Sequence, residues 1–414
     1  MPRTAEIIAV GSELLTGGVT NTNARLLSEL LTASGVDVLY HTAVGDDEGR
    51  LEAAVTAAKR RAALLVFTGG LGPTYDDMTK TAVCAALDTP LVFHPEVADE
   101  IRRYFDTVFH REMPACNLQQ AYLPEGCTVF HNPVGTAPGC AFETGGVHVL
   151  MLPGPPRECM TMFRLSAMPY LQKLSGDEII SHNLHIFGMG ESEVDTRLRD
   201  LENGENPTLS PYCALGEVQL RATASADTAE KALALLTPLL AEVKARLGNV
   251  VYAIEETDGG SLAKTAIETL RAQGMTCATC ESLTGGKVVA ALVDIPGASA
   301  VVRAGLVTYQ TDTKTILADV PAEVIKRFGV VSVETACAMA EGTRKRLGVD
   351  IAVSTTGVAG PDGGTEDCPV GTVCVGVSTA GGTSAVRLAL SGNRDRIRTL
   401  AMKHALHMLI EKAR

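Results

Sequence analysis

The chain has 414 residues, room for about three domains of ordinary size, and its 46% hydrophobic content excludes disorder along most of its length. With 36 Lys and Arg against 48 Asp and Glu it carries a formal charge of −12 and no basic run, which argues against general nucleic-acid binding. No stretch reaches the ~20 apolar residues of a membrane helix, residues 1–6 do not open a secretory signal, and the eleven cysteines are scattered like reduced thiols, so a cytoplasmic protein is expected.

Ile7-Ile8-Ala9-Val10 reads as a buried strand, and 23–34 as a helix with Leu26, Leu27, Leu30 and Leu31 on one face. A strand at 36–44 follows, then a helix capped by Asp46 and running to Arg61, then a buried strand at 63–68. A later strand, 147–152, runs into Pro153-Gly154-Pro155-Pro156 and a helix to about Ala167. Strands alternating with helices predict a mostly parallel sheet covered on both faces. From 171 to 254 the pattern changes: 184–187 and 216–224 alternate as strands, and Asp227-x-x-Glu230 opens a helix to Leu247, interrupted near Pro238. Residues 255–260 read as a linker. Beyond them come a helix to Gln273, a strand at 275–280, a helix after Thr284, strands at 301–309, 351–356 and 373–377, and a closing helix from Arg394. The expected fold is α/β: two three-layer domains with mostly parallel sheets, 1–170 and 255–414, flanking a small α+β domain at 171–254.

The strongest local signal is Thr68-Gly69-Gly70-Leu71-Gly72-Pro73-Thr74-Tyr75-Asp76-Asp77, between a buried strand and a helix. Its glycines admit a ligand to the backbone, and amides at a helix start favour an anion such as phosphate. Adjacent Asp76 and Asp77 fit that site if a hard divalent cation, Mg²⁺, bridges carboxylate and phosphate; the plainer reading is a turn with Asp77 capping the helix. Gly11-Ser12-Glu13, Gly135-Thr136 and Pro153-Gly154 also follow strands, and ligand sites of open α/β sheets gather at the carboxyl ends of strands, so these loops are expected to converge. Neither GxGxxG nor GxxxxGK[ST] occurs here, which disfavours a Rossmann dinucleotide site and a P-loop.

In the last third, Ser282 follows Glu281 at a strand-to-helix turn, where a hydroxyl is exposed and amides can stabilise an oxyanion, or where a serine simply N-caps the helix. No histidine lies between 186 and 403, so a serine nucleophile needs a lysine base of lowered pKa unless His404 or His407 folds back from the last helix. Lys314, after a strand and near Tyr309, is preferred over Lys287, which is placed on a helix surface. Four residues separate Tyr309 from Lys314, unlike the Tyr-x-x-x-Lys of short-chain dehydrogenases. Cys280 is the alternative nucleophile, although its strand position implies a buried, inert thiol. Its CxxC spacing with Cys277 has no second pair, which disfavours zinc. Asp362-Gly363-Gly364-Thr365 reads as a turn or lid.

GSELLTG (11–17), NTN (21–23), TGGLGPTYDD (68–77), NPVGTAPG (132–139) and LPGPP (152–156) resemble the molybdopterin-binding domain of the CinA family (competence/damage-inducible protein A), and the likeness continues through GMGESEVD (188–195) into the C-terminal half. The resemblance implies ADP-ribose pyrophosphatase activity for the N-terminal domain, with Asp76 and Asp77 serving a divalent metal. Gly69, Gly70, Gly72 and Thr74 would line the phosphate site, and the expected convergence of the loops adds Glu13, Gly135, Thr136, Pro153 and Gly154 as binding candidates. Tyr75 and Thr16-Gly17-Gly18 depart from the family's spelling. For the C-terminal domain it implies cofactor-free hydrolysis of nicotinamide mononucleotide (NMN) to nicotinic acid mononucleotide and ammonia. Ser282 would be the nucleophile and Lys314 its base, with Tyr309 and Thr356 supporting them. Thr284 and the Gly285-Gly286 amides would receive oxyanion or phosphate, and Arg394 or Arg396 the substrate phosphate. A homodimer is also implied. Two rival functions are adenylylation of molybdopterin and non-catalytic nucleotide sensing in competence or DNA damage.

Overall fold

Alternate side chains of the first strands enter two different apolar cores, as a sheet buried on both faces requires. The computed structural model describes residues 4–175, 178–256 and 260–414, so 257–259 of the expected linker lie outside the described residues. Two compact units are present, Met1–Ile180 with Thr223–Leu236, and Ser181–Ala222 with Thr237–Arg414. In the first, β1 (Thr4–Val10), β2 (Asp37–Val44) and β3 (Leu64–Thr68) precede β4 (Leu91–Phe93) and β5 (Tyr122–Pro124), which pair as a separate two-stranded sheet. β6 (Thr128–Phe130), β7 (Gly139–Thr144) and β8 (Val147–Leu152) complete the main sheet, in the order 2-1-3-8-7-6. Ile8, Phe67 and Met151 face the core shared with helices Glu48–Ala58, Thr79–Ala86 and Pro95–Tyr104, whereas Ile7, Val66 and Leu150 face that of Thr22–Ala33 and Pro156–Met162.

Asp46 does not cap the helix after β2. Asp47 does, accepting from Arg50 N at 2.9 Å, while Asp46 Oδ2 accepts from Ser12 N at 2.8 Å. That helix stops at Ala58, and Arg61 leaves it to make a bidentate pair (2.7 and 2.8 Å) with the fully buried Glu6.

A four-stranded sheet of β9 (Glu178–Phe187), β10 (Thr208–Ala214), β11 (Glu217–Ala226) and β12 (Val251–Glu255) takes the order 10-11-9-12 and carries helices Glu191–Glu202 and Ala229–Leu247. Pro238 does not interrupt the second helix. Its buried stripe, Ala232, Leu236, Leu239 and Val243, continues across the proline, and packing outweighs one missing amide.

The last sheet runs 14-13-15-16-17, formed by β13 (Cys277–Glu281), β14 (Val302–Val307), β15 (Ile351–Gly357), β16 (Thr372–Thr379) and β17 (Gly382–Ala389). Cys277, Ile351 and Val375 pack with helices Leu262–Ala272 and Arg394–Ala413, and Cys280 packs on the other face with Ala318 and Met339. The CxxC pair thus splits across the sheet. Both large sheets are parallel where helices intervene and antiparallel where hairpins do. The β7–β8 turn, Gly145-Gly146 with φ of 57° and 78°, needs glycine at both places. No helix among the described residues is long and apolar enough to cross a membrane.

Candidate active sites

β13 ends on Glu281, whose fully buried carboxylate turns beneath the next helix, Lys287–Val293. Its Oε2 accepts from Gly286 N (2.9 Å) and Val288 N (3.0 Å), and its Oε1 from Val289 N (2.8 Å). Arg398 holds the same turn by its carbonyls, donating to Leu283 O (2.9 Å) and Thr284 O (2.7 Å). Removing the carboxylate leaves three amides unpaired, so Glu281→Ala is expected to lower unfolding stability by about 3 kcal/mol in a denaturant titration. An unchanged midpoint would mean that the turn stands without it.

The clamped turn presents Ser282 to helix Thr311–Ala318, from which Lys314 Nζ comes to 3.2 Å of Ser282 Oγ. Lys314 is fully buried and no carboxylate pairs with it among the described residues. Burial therefore lowers its pKa from the ordinary lysine value. Two carbonyls, Thr308 (2.8 Å) and Gln310 (3.5 Å), accept its N–H groups. A neutral amine so held has its lone pair left for the serine proton, the arrangement of a nucleophile and its base.

Tyr309 and Arg394 meet each other: Arg394 Nη2 donates to the tyrosine hydroxyl (3.2 Å) and Nη1 to Gly360 O (2.9 Å), and Tyr309 lies in the chain between the two carbonyls that accept from Lys314. Thr356 shares the face of Ser282 in the strand register, but its hydroxyl donates to Val330 O at 2.8 Å. Lys287 pairs with Asp395 (2.7 Å), away from the serine. Cys280 is fully buried, and burial pushes its thiol pKa up, so it is a poor nucleophile. His404 and His407 pack on Phe187 with ring centroids at 4.8 and 4.9 Å, and burial lowers the pKa of His404 to about 4; neither reaches back to Ser282.

Three expected contacts are corrected. Gly285 N donates to Ser282 O (3.1 Å) and Gly286 N to Glu281, so neither amide is open to an oxyanion. Thr284 Oγ1 is buried against Thr355 Oγ1 at 2.6 Å. Arg396 donates to Ser391 O (3.2 Å) and lines a different cleft with Phe187, Leu400 and His404, because it leaves the helix on another side from Arg394. Within this turn the amides with no hydrogen bond to a described residue are those of Leu283 and Thr284, directly after the serine.

In the first unit the loops after β1, β3 and β8 meet with residues 19–23 around a cavity of about 400 Å³. Gly69 (φ +102°) closes the approach: a Cβ there would lie 2.1 Å from Val10 O. Asn23 Nδ2 donates to Thr68 Oγ1 (2.8 Å) and Gly154 O (2.7 Å), tying the loops together. Glu13, Asp46, Asp76 and Asp77 line the cavity, and among the described residues no Lys, Arg or His does. Asp77 Oδ2 accepts from Thr74 N (2.8 Å) and from the Thr74 hydroxyl (2.5 Å), leaving Oδ1 uncommitted. It does not cap the following helix, whose N-cap is Met78. The Thr74 hydroxyl also lowers the pKa of Asp76 below the ordinary carboxylate value.

Glu13, Gly69, Gly70, Gly154, Asp76 and Asp77 line this cavity as expected, but other candidates do not. Gly72 packs on Asp77, 2.5 Å from a built Cβ to Oδ2, and Thr74 positions the same carboxylate. Pro153 offers its carbonyl to Thr68 (3.1 Å). Gly135 and Thr136 line a separate small cleft beside Glu100 and Asn132, because Gly135 packs against Glu158, 2.2 Å from a built Cβ. No group of three or more metal-ligating side chains occurs among the described residues. Mg²⁺ is commonly held by one or two carboxylates together with ligand phosphates, and Asp76 with Asp77 Oδ1 fits that requirement.

These sites belong to an α/β chain with two large helix-covered sheets and, between them in sequence, a smaller four-stranded one. Family models match a CinA C-terminal domain over 260–413, a probable molybdopterin binding domain over 6–173 and a damage-inducible protein CinA KH domain over 181–253. A putative competence-damage inducible protein of Acetivibrio thermocellus is 44% identical across 98% of this chain and 97% of its own. A CinA-like protein of Kosmotoga olearia is 42% identical across 97% of each. The crystal structure of competence/damage inducible protein CihA from Agrobacterium tumefaciens aligns with 36% of this chain and 92% of its own, at 38% identity and a TM-score of 0.36. The chain belongs to the CinA family and carries a molybdopterin-binding-like domain.

Proposed function

We propose that the C-terminal domain is an amidohydrolase that converts NMN to nicotinic acid mononucleotide and ammonia. The observation that supports this most is the buried, carboxylate-free Lys314 amine at 3.2 Å from Ser282 Oγ. Ser282 Oγ attacks the amide carbon as Lys314 Nζ takes its proton, and the oxygen's charge develops towards the Leu283 and Thr284 amides. Lys314 returns the proton to the amide nitrogen, the C–N bond breaks and ammonia leaves an acyl ester on Ser282. Water then attacks that ester, its proton passing through Lys314 to Ser282 Oγ as the carboxylate departs. Arg394, hydrogen-bonded to the Tyr309 hydroxyl, is the residue proposed to meet the nucleotide phosphate.

For the N-terminal domain the proposed ligand is an ADP-ribose-type pyrophosphate, bound with a divalent cation. Four carboxylates and, among the described residues, no basic side chain line its cavity, so phosphates need a cation to approach. Asp76 and Asp77 Oδ1 would hold that cation, which neutralises charge and polarises the phosphoryl group when bound. The deciding experiment gives the full chain NMN and ADP-ribose, each with Mg²⁺ and with EDTA, and reads ammonia and AMP. EDTA is expected to stop AMP formation and spare ammonia release. Asp77→Ala should cut AMP formation about a hundredfold, through the lost cation ligand and the loosened Thr74 turn, with ammonia release unchanged. Transfer of AMP to a pterin without ADP-ribose turnover would replace this reading.

A further inference from the structure

One buried acceptor in the N-terminal cavity has no partner. Asn23 is only 7% exposed, lines the cavity, and has an Oδ1 with no hydrogen bond. Its amide cannot be turned round to satisfy that oxygen. Gly154 O can only accept, and Thr68 Oγ1 already donates to Pro153 O at 3.1 Å, so both neighbours require the NH₂ end of Asn23. Nor does the cavity wall supply a cationic side chain among the described residues, since its charged groups there, Glu13, Asp46, Asp76 and Asp77, are all acidic. A native fold seldom leaves such an oxygen unpaired unless a ligand or an ordered water completes it.

We infer that Asn23 Oδ1 is the sugar-reading group of this site and accepts an O–H hydrogen bond from a ribose hydroxyl of the ligand. The inference rests on the reading of the cavity as a pyrophosphate site, and it deepens that reading: a buried acceptor without a protein donor recognises one of the ligand's own donors. Phosphate is met through the cation and carboxylates, and the hydroxyl is met by Asn23. The site then distinguishes a sugar-bearing pyrophosphate from inorganic pyrophosphate, which has no such donor.

The test is calorimetric titration of the full chain, with Mg²⁺, against ADP-ribose carrying a non-hydrolysable methylene bridge in place of the pyrophosphate oxygen, and against inorganic pyrophosphate. Asn23→Ala is expected to weaken the ADP-ribose analogue about tenfold and leave pyrophosphate unchanged. In the unaltered protein, one such analogue lacking a single ribose hydroxyl should show the same loss, and should lose nothing further in the variant. This second arm does not depend on the variant folding. Equal weakening of both ligands by Asn23→Ala would reduce Asn23 to a tie between Thr68 and Gly154. Insensitivity to every missing hydroxyl would assign the oxygen to a water. Binding of pyrophosphate but not the ADP-ribose analogue by the unaltered protein would instead overturn the reading of the cavity itself.

Discussion

Ser282→Ala is expected to lower ammonia release from NMN by roughly 10⁴- to 10⁶-fold while ADP-ribose cleavage continues at its normal rate. The size follows from the absence of a substitute. Cys280, two residues earlier, has its thiol buried and its pKa raised, and the Lys314 amine that would activate a replacement is aimed at the missing oxygen. The variant should fold normally, because Glu281 and Arg398 hold the turn by backbone contacts that the serine side chain does not share. Thermal melting of the two proteins should therefore nearly coincide. Deamidation persisting in the variant would remove Ser282 from its role.

Lys314→Met should cost about 10²- to 10⁴-fold in kcat, the range of a lost general base. The amine acts only when neutral. In the unaltered protein kcat/KM should therefore rise with pH through the Lys314 pKa, which burial sets below 10.5, and level off above it. The Met variant should lose that acidic limb. Stability changes in the same window. Between the lowered folded-state pKa and the ordinary value the unfolded chain binds the extra proton, so unfolding becomes harder as pH rises across it. Below the folded-state pKa the full penalty of the buried charge is present. Melts of the unaltered protein from neutral pH to about pH 10.5 should show this climb, and the Met variant should not. The same acidic limb in both proteins would assign it to another group.

The strands and motifs were legible wherever the signal was local. Ile7 to Val10 and Thr68 with its glycines announced a buried strand and a close approach, and the missing histidines pointed to Lys314. What escaped was set by partners distant in sequence. Arg398 meets the Ser282 turn from 114 and 115 positions away, with no local mark on it. Arg394 and Arg396 are equivalent on paper, and only the packing of the last helix separates them. Gly135 has the spelling of a ligand loop, yet it is a glycine because Glu158 stands against it. Asp46 and Asp47 are adjacent carboxylates with different jobs, decided by where Ser12 lies. Glu281 was visible beside the nucleophile, but its role depends on a helix start folding over it. The outer antiparallel strands β6 and β17 were missed because β6 is only three residues long and β17, although eight, alternates exposed and half-buried side chains and lacks the apolar run of the parallel strands.

The contact of Arg398 with Leu283 O has an electronic consequence. That oxygen belongs to the same peptide group as the Thr284 N–H, the open amide directly after the serine and its neighbour. A guanidinium drawing electron density towards the carbonyl end leaves the nitrogen end more positive and makes it a stronger donor. In the proposed deamidation the arginine would thereby raise the electrophilic pull at the reacting carbonyl from behind the backbone, through peptide resonance, without standing in the substrate's way.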